Sequence, residues 1–324
     1  MFDLVSKHVH SLFIKNKLSL LIITFTLKID KIIVTMIKKK SLKLLGYSEN
    51  QNGKNFKVIK NQIFLDNISK EYIFWQISDC HVCFTQKPKL INKYKSRLDH
   101  WTIDGYDNPL FSFDKLINNA NKKDLDGIFF CGDIIDFYSK ENVKYVNSKL
   151  KKINKDILIT LGNHERSENP YSDNEINFYN SFKYWAKEKL SYYSIDYKDF
   201  LIAVIDDSEQ KINNSQLDFL KSLSKMNKPI FLVLHIPIID EDLAPKCMEV
   251  WGPTFMLGTN ICDRTTLDFV DYVKSDASNV KAIFAGHIHY ENVSKFKTGC
   301  YQYCNDPSFL GFIREIVISP KHKQ

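Results

Sequence analysis

Five short apolar segments recur along the chain, and polar residues follow each of them directly. The segments are continuous runs of β-branched and aromatic residues, a pattern typical of strands that are buried on both faces of a sheet. We therefore predict five buried strands, at residues 72–78, 127–131, 157–161, 230–234 and 280–285.

Helices and further strands are predicted between and after these segments. Apolar residues at three- and four-residue spacing predict helices, with Asn214 and Ser215 as candidate caps of the fourth and Asp263 as the cap of the fifth. The predicted helices span residues 113–123, 141–153, 175–190, 212–226 and 264–275. A hairpin that starts a second sheet and two later strand regions are predicted at residues 192–197 with 200–205, at 293–303 and at 312–318. Alternating strands and helices, interrupted by hairpins, indicate two packed sheets with helices outside them.

Two regions have no clear period. Residues 84–112 are predicted to form a loop over the site, in which Arg97 and His100 are candidate substrate contacts, with exposed solvated side chains as the alternative. Residues 41–70 are rich in lysine and asparagine, and we expect a short hairpin or a linker there.

The polar residues after the five strands have the chemistry of metal ligands. In an α/β sheet, ligand sites lie beyond the carboxyl ends of the strands, and side chains i and i+2 of a strand share a face, so His287 and His289 can converge. Neutral imidazole and carboxylate groups bind first-row divalent metals. Any one of these residues could be an ordinary polar residue at a strand end, but five histidines in these positions favour one metal site: His81, His164, His235, His287 and His289.

The order of the motifs resembles the calcineurin-like metallophosphoesterase family over roughly residues 72–319. The matching motifs are Asp79-Cys80-His81, Gly132-Asp133-Ile134-Ile135-Asp136, Gly162-Asn163-His164-Glu165, His235 and Gly286-His287-Ile288-His289. The resemblance implies a four-layer α-β-β-α sandwich of two mixed sheets flanked by helices. The periodicity of the sequence alone does not give the number of layers.

The resemblance also implies a binuclear centre for two divalent metal ions. Asp79, His81 and His289 resemble the ligands of the first ion, and Asn163, His235 and His287 resemble those of the second. Asp133 resembles the carboxylate that bridges the two ions. Oxygen and nitrogen ligands suit Mn, Fe, Zn, Co or Ni and do not choose among them.

The implied reaction is hydrolysis of a phosphoester by in-line attack of a hydroxide held between the two metal ions. His164 resembles the general acid, and Asp136 is placed to orient and charge its ring, although Asp136 could instead cap a helix. The implied substrate is a nucleotide or a small phosphorylated molecule, as a monoester or a diester. The alternative function is a metal-binding or scaffold module that does not turn over a substrate.

The positive net charge of +7 belongs to one end of the chain. Residues 1–70 contain thirteen lysines and four acidic residues, a net of +9, which leaves −2 for the remainder. We interpret this as a solvated basic face, so nucleic acid is a possible partner but not a favoured one. The predicted division is a basic N-terminal extension over residues 1–70 and a metallophosphoesterase domain over residues 71–324.

The N-terminal segment also bears on localisation. The apolar run at residues 18–27 is shorter than the ~20 residues that span a bilayer, so we predict no transmembrane span, with a leader peptide as the alternative. Met36 could be the true start, which would make residues 1–35 dispensable.

Cysteine usage favours a reducing compartment. The seven cysteines contain a single Cys-x-x-Cys pair, Cys80 and Cys83, so a structural zinc site is not expected. We predict a cytoplasmic protein. The alternative is a protein that is exported or attached to a membrane surface through its N-terminal segment.

Overall fold

The structure is a computed structural model that describes residues 56–185 and 190–321. Eleven β-strands lie within these residues, and the five predicted buried strands are all present, with boundaries that differ by at most one residue. The strands are β1 (Lys57–Leu65), β2 (Tyr72–Ile77), β3 (Gly127–Cys131), β4 (Asp156–Thr160), β5 (Tyr192–Asp196), β6 (Leu201–Ile205), β7 (Ile230–Val233), β8 (Val280–Ala285), β9 (Asn292–Lys297), β10 (Cys300–Cys304) and β11 (Phe312–Pro320).

Helices connect most of the strands. The α-helices are α1 (Ile91–Trp101), α2 (Pro109–Ala120), α3 (Lys140–Leu150), α4 (Asn163–Arg166), α5 (Glu175–Ser181), α6 (Asn214–Ser224), α7 (Ala244–Val250) and α8 (Arg264–Lys274). Short 3-10 helices lie at Pro88–Leu90, Pro253–Phe255, Asp276–Ser278 and Ser308–Leu310. The helix predicted at residues 175–190 is α-helical only to Ser181, and residues 186–189 lie outside the described part.

The strands form two mixed sheets. The first sheet has the order β1-β11-β2-β3-β4, and the second has the order β5-β6-β7-β8-β10-β9. Strands β2, β3 and β4 run parallel to one another in the first sheet, as do β6, β7 and β8 in the second. The carboxyl ends of the parallel strands therefore lie along one edge of each sheet.

The alternation of side chains along β3 shows how the layers pack. Ile128 and Phe130 contact the helices that cover the first sheet, whereas Phe129 and Cys131 pack into the core between the two sheets. In this inter-sheet core the ring of Phe129 lies 5.0 Å from the ring of Phe284 on β8. The outer face of the second sheet packs on α6 and α8. The predicted four-layer α-β-β-α sandwich is confirmed.

The hairpin expected within residues 41–70 is wrong for the described residues. Residues 57–65 form the single strand β1, which pairs in parallel with β11 from Lys57 opposite Phe312 onward. The pairing runs without a turn through Lys60 and Asn61, which lie opposite Glu315 and Ile316 of β11. Residues 1–55 lie outside the described part, so the predictions about the apolar run and Met36 remain predictions.

The loop expected at residues 84–112 is also wrong, because α1 and the start of α2 lie there. Ile91, Tyr94 and Leu98 are buried at three- and four-residue spacing, and they form the apolar stripe of α1. Lysine and asparagine residues between them obscure this stripe in the sequence.

One of the predicted helix caps is confirmed and one is wrong. Asp263 caps α8 by accepting a hydrogen bond from the N–H of Thr266 at 2.8 Å. The cap of α6 is Asn213 rather than Asn214 or Ser215. Asn213 and Gln216 exchange side-chain to backbone hydrogen bonds, and this capping box fixes the start of α6 at Asn214, two residues after the predicted start at residue 212.

Replacing Phe129 by alanine should lower the free energy of unfolding by about 3–5 kcal/mol, because it leaves a cavity in the inter-sheet core. Phe64→Ala is the matched control, since Phe64 on β1 is 52% exposed; its effect should be below about 1 kcal/mol. Urea denaturation followed by circular dichroism measures both. Equal losses in the two variants would contradict this placement of Phe129.

Candidate metal centre

The residues predicted as metal ligands meet where the carboxyl ends of the two sheets approach each other. Asp79 and His81 follow β2, Asp133 follows β3, Asn163 follows β4, His235 follows β7, and His287 and His289 follow β8. The side-chain amide of Gln76, near the end of β2, donates hydrogen bonds to the carbonyls of Ala285 (2.8 Å) and Tyr303 (2.9 Å) in the other sheet. The two sheet edges are thereby fixed next to each other.

The first group of predicted ligands converges closely. The Nε2 atoms of His81 and His289 lie 3.3 Å apart, and Nε2 of His289 lies 3.4 Å from Oδ1 of Asp79. One donor atom from each of these three residues lies within 4.8 Å of the others. The arrangement is compact enough for one cation.

A second group lies beside the first and shares a carboxylate with it. Nε2 of His235 lies 3.0 Å from Oδ1 of Asn163 and 3.4 Å from Oδ2 of Asp133. His287 completes a cluster with Asp133 and His235. The same Oδ2 atom of Asp133 lies 3.9 Å from Nε2 of His81, which belongs to the first group.

The protonation pattern of these side chains fits divalent metal binding. Nδ1 of His235 donates a hydrogen bond to the carbonyl of Cys131 at 2.8 Å, so Nε2 is the nitrogen that faces Asp133 and Asn163. Burial lowers the pKa of His235, but Asp133 outweighs burial and raises the pKa to about 10, so a cation bound at Nε2 would replace a proton there. Burial lowers the pKa of His81 to about 4 and that of His287 to about 3, so both rings are neutral near pH 7. Nε2 of His287 is buried and has no hydrogen-bond partner, which a cation would provide.

Asp133 is ionised in this environment. Burial raises its pKa, but the neighbouring rings of His235 and His164 outweigh burial and hold the pKa of Asp133 well below its usual range. Its Oδ1 atom also accepts a hydrogen bond from the N–H of His164 at 2.8 Å. The charged form that a metal would bind is therefore the stable form.

The backbone at this centre adopts conformations that L-residues rarely take. Five of the predicted ligands have φ between +45° and +71°: Asp79, His81, Asp133, His287 and His289. Left-handed backbone at non-glycine residues costs about 1–3 kcal/mol each and is concentrated at functional sites. Glycine is required at position 286, because the Cβ atom of any other residue there would lie 2.7 Å from Oδ2 of Asp79.

Two buried carboxylates hold the ligand loops, and the sequence analysis assigned a role to neither. The Glu165 carboxylate accepts hydrogen bonds from the N–H groups of Gly162 (2.7 Å), Asp133 (3.0 Å) and Ile135 (3.0 Å). Glu165 therefore joins the loops after β3 and β4.

The second of these carboxylates is Asp207, which accepts hydrogen bonds from the N–H groups of His235 (2.9 Å) and Ile236 (2.8 Å). Asp207 fixes the start of the segment that carries His235. It follows the predicted strand at residues 200–205, so the same strand-end signal could have identified it.

The ring of His164 points to the same centre and is held through its far nitrogen. Nδ1 of His164 donates a hydrogen bond to the backbone carbonyl of Asp136 at 2.6 Å and lies 3.3 Å from the Oδ1 atom of the same residue. The side chain is 21% exposed. Burial lowers the pKa of His164, but Asp133 and Asp136 outweigh it and raise the pKa to about 9.

The carboxylate of Asp136 has further partners on α1. Arg97 donates from Nε to Oδ2 at 2.5 Å and from Nη2 to Oδ1 at 2.9 Å, and Trp101 donates from Nε1 to Oδ1 at 2.6 Å. The guanidinium of Arg97 therefore binds Asp136 rather than standing free as a substrate contact. His100 is exposed on the same helix.

In the described part of the chain, no helix is both long enough and apolar enough to cross a lipid bilayer. The apolar run at residues 18–27 lies outside that part.

Two solved structures are similar to this chain in fold. A dimetal phosphatase from Danio rerio is similar with a TM-score of 0.50 and 13% sequence identity, over 75% of this chain and 89% of that chain. Purple acid phosphatase PPD1 from yellow lupin seeds is similar with a TM-score of 0.47 and 14% identity, over 76% of this chain and 45% of that chain. At these identities the similarity concerns the fold alone.

The family of the chain follows from its sequence. A search of curated proteins found no match. The sequence model described as calcineurin-like phosphoesterase matches residues 72–291, which include every predicted ligand and both predicted catalytic residues. The chain belongs to the calcineurin-like phosphoesterase family.

Proposed function

We propose that this protein hydrolyses phosphoester bonds at a centre of two divalent metal ions. The observation that carries the proposal is the convergence of seven predicted ligands from five strand ends into two adjacent clusters that share Asp133. Asp79, His81 and His289 would hold one ion, and Asn163, His235 and His287 would hold the other. When bound, two such ions would supply Lewis acidity that activates water for in-line attack on phosphorus and that stabilises charge on the phosphoryl oxygens.

His164 is the proposed general acid that protonates the leaving oxygen. Because the carbonyl of Asp136 can only accept a hydrogen bond, Nδ1 of His164 carries the donated proton. Burial lowers the pKa of His164, but Asp133 and Asp136 raise it to about 9, so near pH 7 the ring carries a second proton, on Nε2, and this is the proton that can be transferred. The partial exposure of the ring leaves room for the leaving group of a substrate.

Asp136 is the proposed positioning residue for His164. Its backbone carbonyl holds Nδ1 of the ring, while Arg97 and Trp101 bind its carboxylate from α1. The carboxylate therefore shares its charge among several donors, and orientation of the ring depends mainly on the carbonyl.

The alternative of a binding or scaffold module is less well supported. A module without turnover needs neither a histidine held for proton transfer nor two complete ligand sets. The proposed substrate is a phosphoester of a nucleotide or of a small phosphorylated molecule. Cytoplasmic localisation stays a prediction.

Turnover tests the proposed function directly. The purified protein, reconstituted with Mn²⁺, should hydrolyse bis(p-nitrophenyl) phosphate or p-nitrophenyl phosphate. The faster of the two substrates distinguishes a diesterase from a monoesterase. Metal binding without hydrolysis of either compound would favour the scaffold alternative.

His164→Ala should retain its metal but lose about 10²- to 10⁴-fold in kcat, because it removes the general acid. The loss should be smallest for substrates with good leaving groups, which need little protonation. Lys122→Ala, at an exposed residue that precedes the amino end of β3, is the control and should leave kcat unchanged. An equal loss for good and poor leaving groups would contradict the role of His164.

Asp133→Asn should deplete both metal ions, because it removes the anionic charge that faces both clusters. His235→Ala and His289→Ala each remove one ligand from one cluster, so each should lose mainly one ion. Asp99→Asn, at an exposed carboxylate, is the control for the charge change. Elemental analysis of the purified variants measures occupancy, and wild-type occupancy in Asp133→Asn would exclude the bridging role.

A further inference from the structure

Trp251 lies beside the metal centre, and the proposed reaction gives it no role. It directly follows α7, it is 40% exposed, and its ring lies 6.1 Å from the ring of His289. Tryptophan is usually largely buried, and an exposed indole forgoes much of the hydrophobic stabilisation that its area could provide. Its position at the centre therefore calls for a functional explanation.

The exposed indole is held in a fixed orientation. Its Nε1–H group donates a hydrogen bond to the carbonyl of Ile288 at 2.8 Å. Ile288 lies between the predicted ligands His287 and His289, so this bond ties Trp251 to the ligand loop. A ring that is already oriented loses little conformational entropy when a ligand binds to it.

Aromatic stacking connects Trp251 to the metal ligands. Its ring is parallel to that of Phe255, with centroids 5.0 Å apart and planes at 14°. Phe255 in turn stacks on His287 at 4.4 Å and 20°. Phe255 lies parallel to the indole on one side, and 40% of Trp251 still remains exposed to a ligand.

A second indole, that of Trp101, also lies close to His289. Trp101 stacks on His81 at 4.0 Å and lies 5.3 Å from His289, which is itself 16% exposed at its side chain. Unlike Trp251, Trp101 uses its N–H group to bind Asp136 and covers a predicted ligand with its face. Of these two indoles, Trp251 is therefore the one available for stacking.

We propose that Trp251 stacks with a planar ring of the substrate, so that the substrate is a phosphoester of a nucleoside. This inference rests on the proposed phosphoesterase function and specifies its substrate class. A nucleobase is flat on both faces, and stacking of a base on an aromatic side chain changes affinity by about 5- to 150-fold. Stacking does not depend strongly on which base is present, so the inference concerns the class of nucleotides.

An aliphatic group is the competing occupant of this surface. Met248 and Val250 on α7 are 48% and 51% exposed and offer apolar area next to Trp251. However, hydrophobic contact stabilises a bound alkyl chain in any orientation, so such a ligand does not need an aromatic ring that is held in one plane. The hydrogen bond to Ile288 and the parallel stack on Phe255 fix such a plane, which favours a planar ligand.

Binding measurements test this proposal without turnover. Isothermal titration calorimetry on Mn²⁺-loaded His164→Ala protein compares adenosine 5′-monophosphate with ribose 5-phosphate, which carries the same phosphate and sugar but no base. Adenosine 5′-monophosphate should bind about 5- to 150-fold more tightly. It is also a product expected from a nucleotide diester, so the comparison holds for a monoesterase and for a diesterase.

Substitutions of Trp251 test whether this residue causes the preference for adenosine 5′-monophosphate over ribose 5-phosphate. Introduced into the same background, Trp251→Leu should remove most of the preference for adenosine 5′-monophosphate and leave the affinity for ribose 5-phosphate unchanged. Trp251→Phe should retain part of it, because phenylalanine keeps a flat ring. Met248→Ala is the matched control, an exposed apolar residue on α7, the helix that Trp251 follows, and should keep the full preference. Unchanged Mn²⁺ content shows that each variant is folded.

Several results would overturn the inference. Equal affinities of the two compounds for the His164→Ala protein, or a preference that persists in Trp251→Leu, would exclude stacking on Trp251. Tighter binding of hexyl phosphate than of adenosine 5′-monophosphate would assign the surface to an aliphatic group. If p-nitrophenyl substrates are hydrolysed in these cases, the proposed phosphoesterase function stands and only its substrate class is wrong. If neither hydrolysis nor binding occurs, both fail.

Discussion

The carboxylate of Asp133 is the constraint on which the centre depends. It is 1% exposed, ionised and in contact with histidines of both clusters. The equally buried Asp79 lies in the neighbouring cluster, and its pKa is also lowered: burial raises it, but His289 outweighs burial. Buried anions are costly unless cations and hydrogen bonds compensate them. Divalent metal ions would provide the positive charge that compensates the buried carboxylates of Asp133 and Asp79.

The arrangement of the ligands costs backbone strain, and buried carboxylates stabilise the loops that carry the ligands. Five of the predicted ligands adopt left-handed backbone conformations. Glu165 accepts a hydrogen bond from the N–H group of Asp133, and Asp207 accepts one from the N–H group of His235. The inter-sheet core, with the link from Gln76 to Ala285, keeps the two sheet edges together. Rigid packing is therefore what holds seven side chains from separate strands in reach of one another.

Much of this site could be predicted from the sequence because its signals are local. Each ligand directly follows an apolar strand, and the strand boundaries are marked by the change from apolar to polar residues. The strand β1 was missed because its partner, β11, is distant in sequence. The helix α1 was missed because its buried stripe of Ile91, Tyr94 and Leu98 is sparse among lysines. The contact of Arg97 with Asp136 depends on that helix, and no local pattern indicates it.

The central claim is that two cations share Asp133, and anomalous X-ray diffraction from crystals grown with Mn²⁺ tests it most directly. Two anomalous peaks about 3.5–4 Å apart are expected, one on either side of the Asp133 carboxylate. One peak should contact Asp79, His81 and His289, and the other should contact Asn163, His235 and His287. A single peak, or peaks that do not contact Asp133, would contradict the central claim.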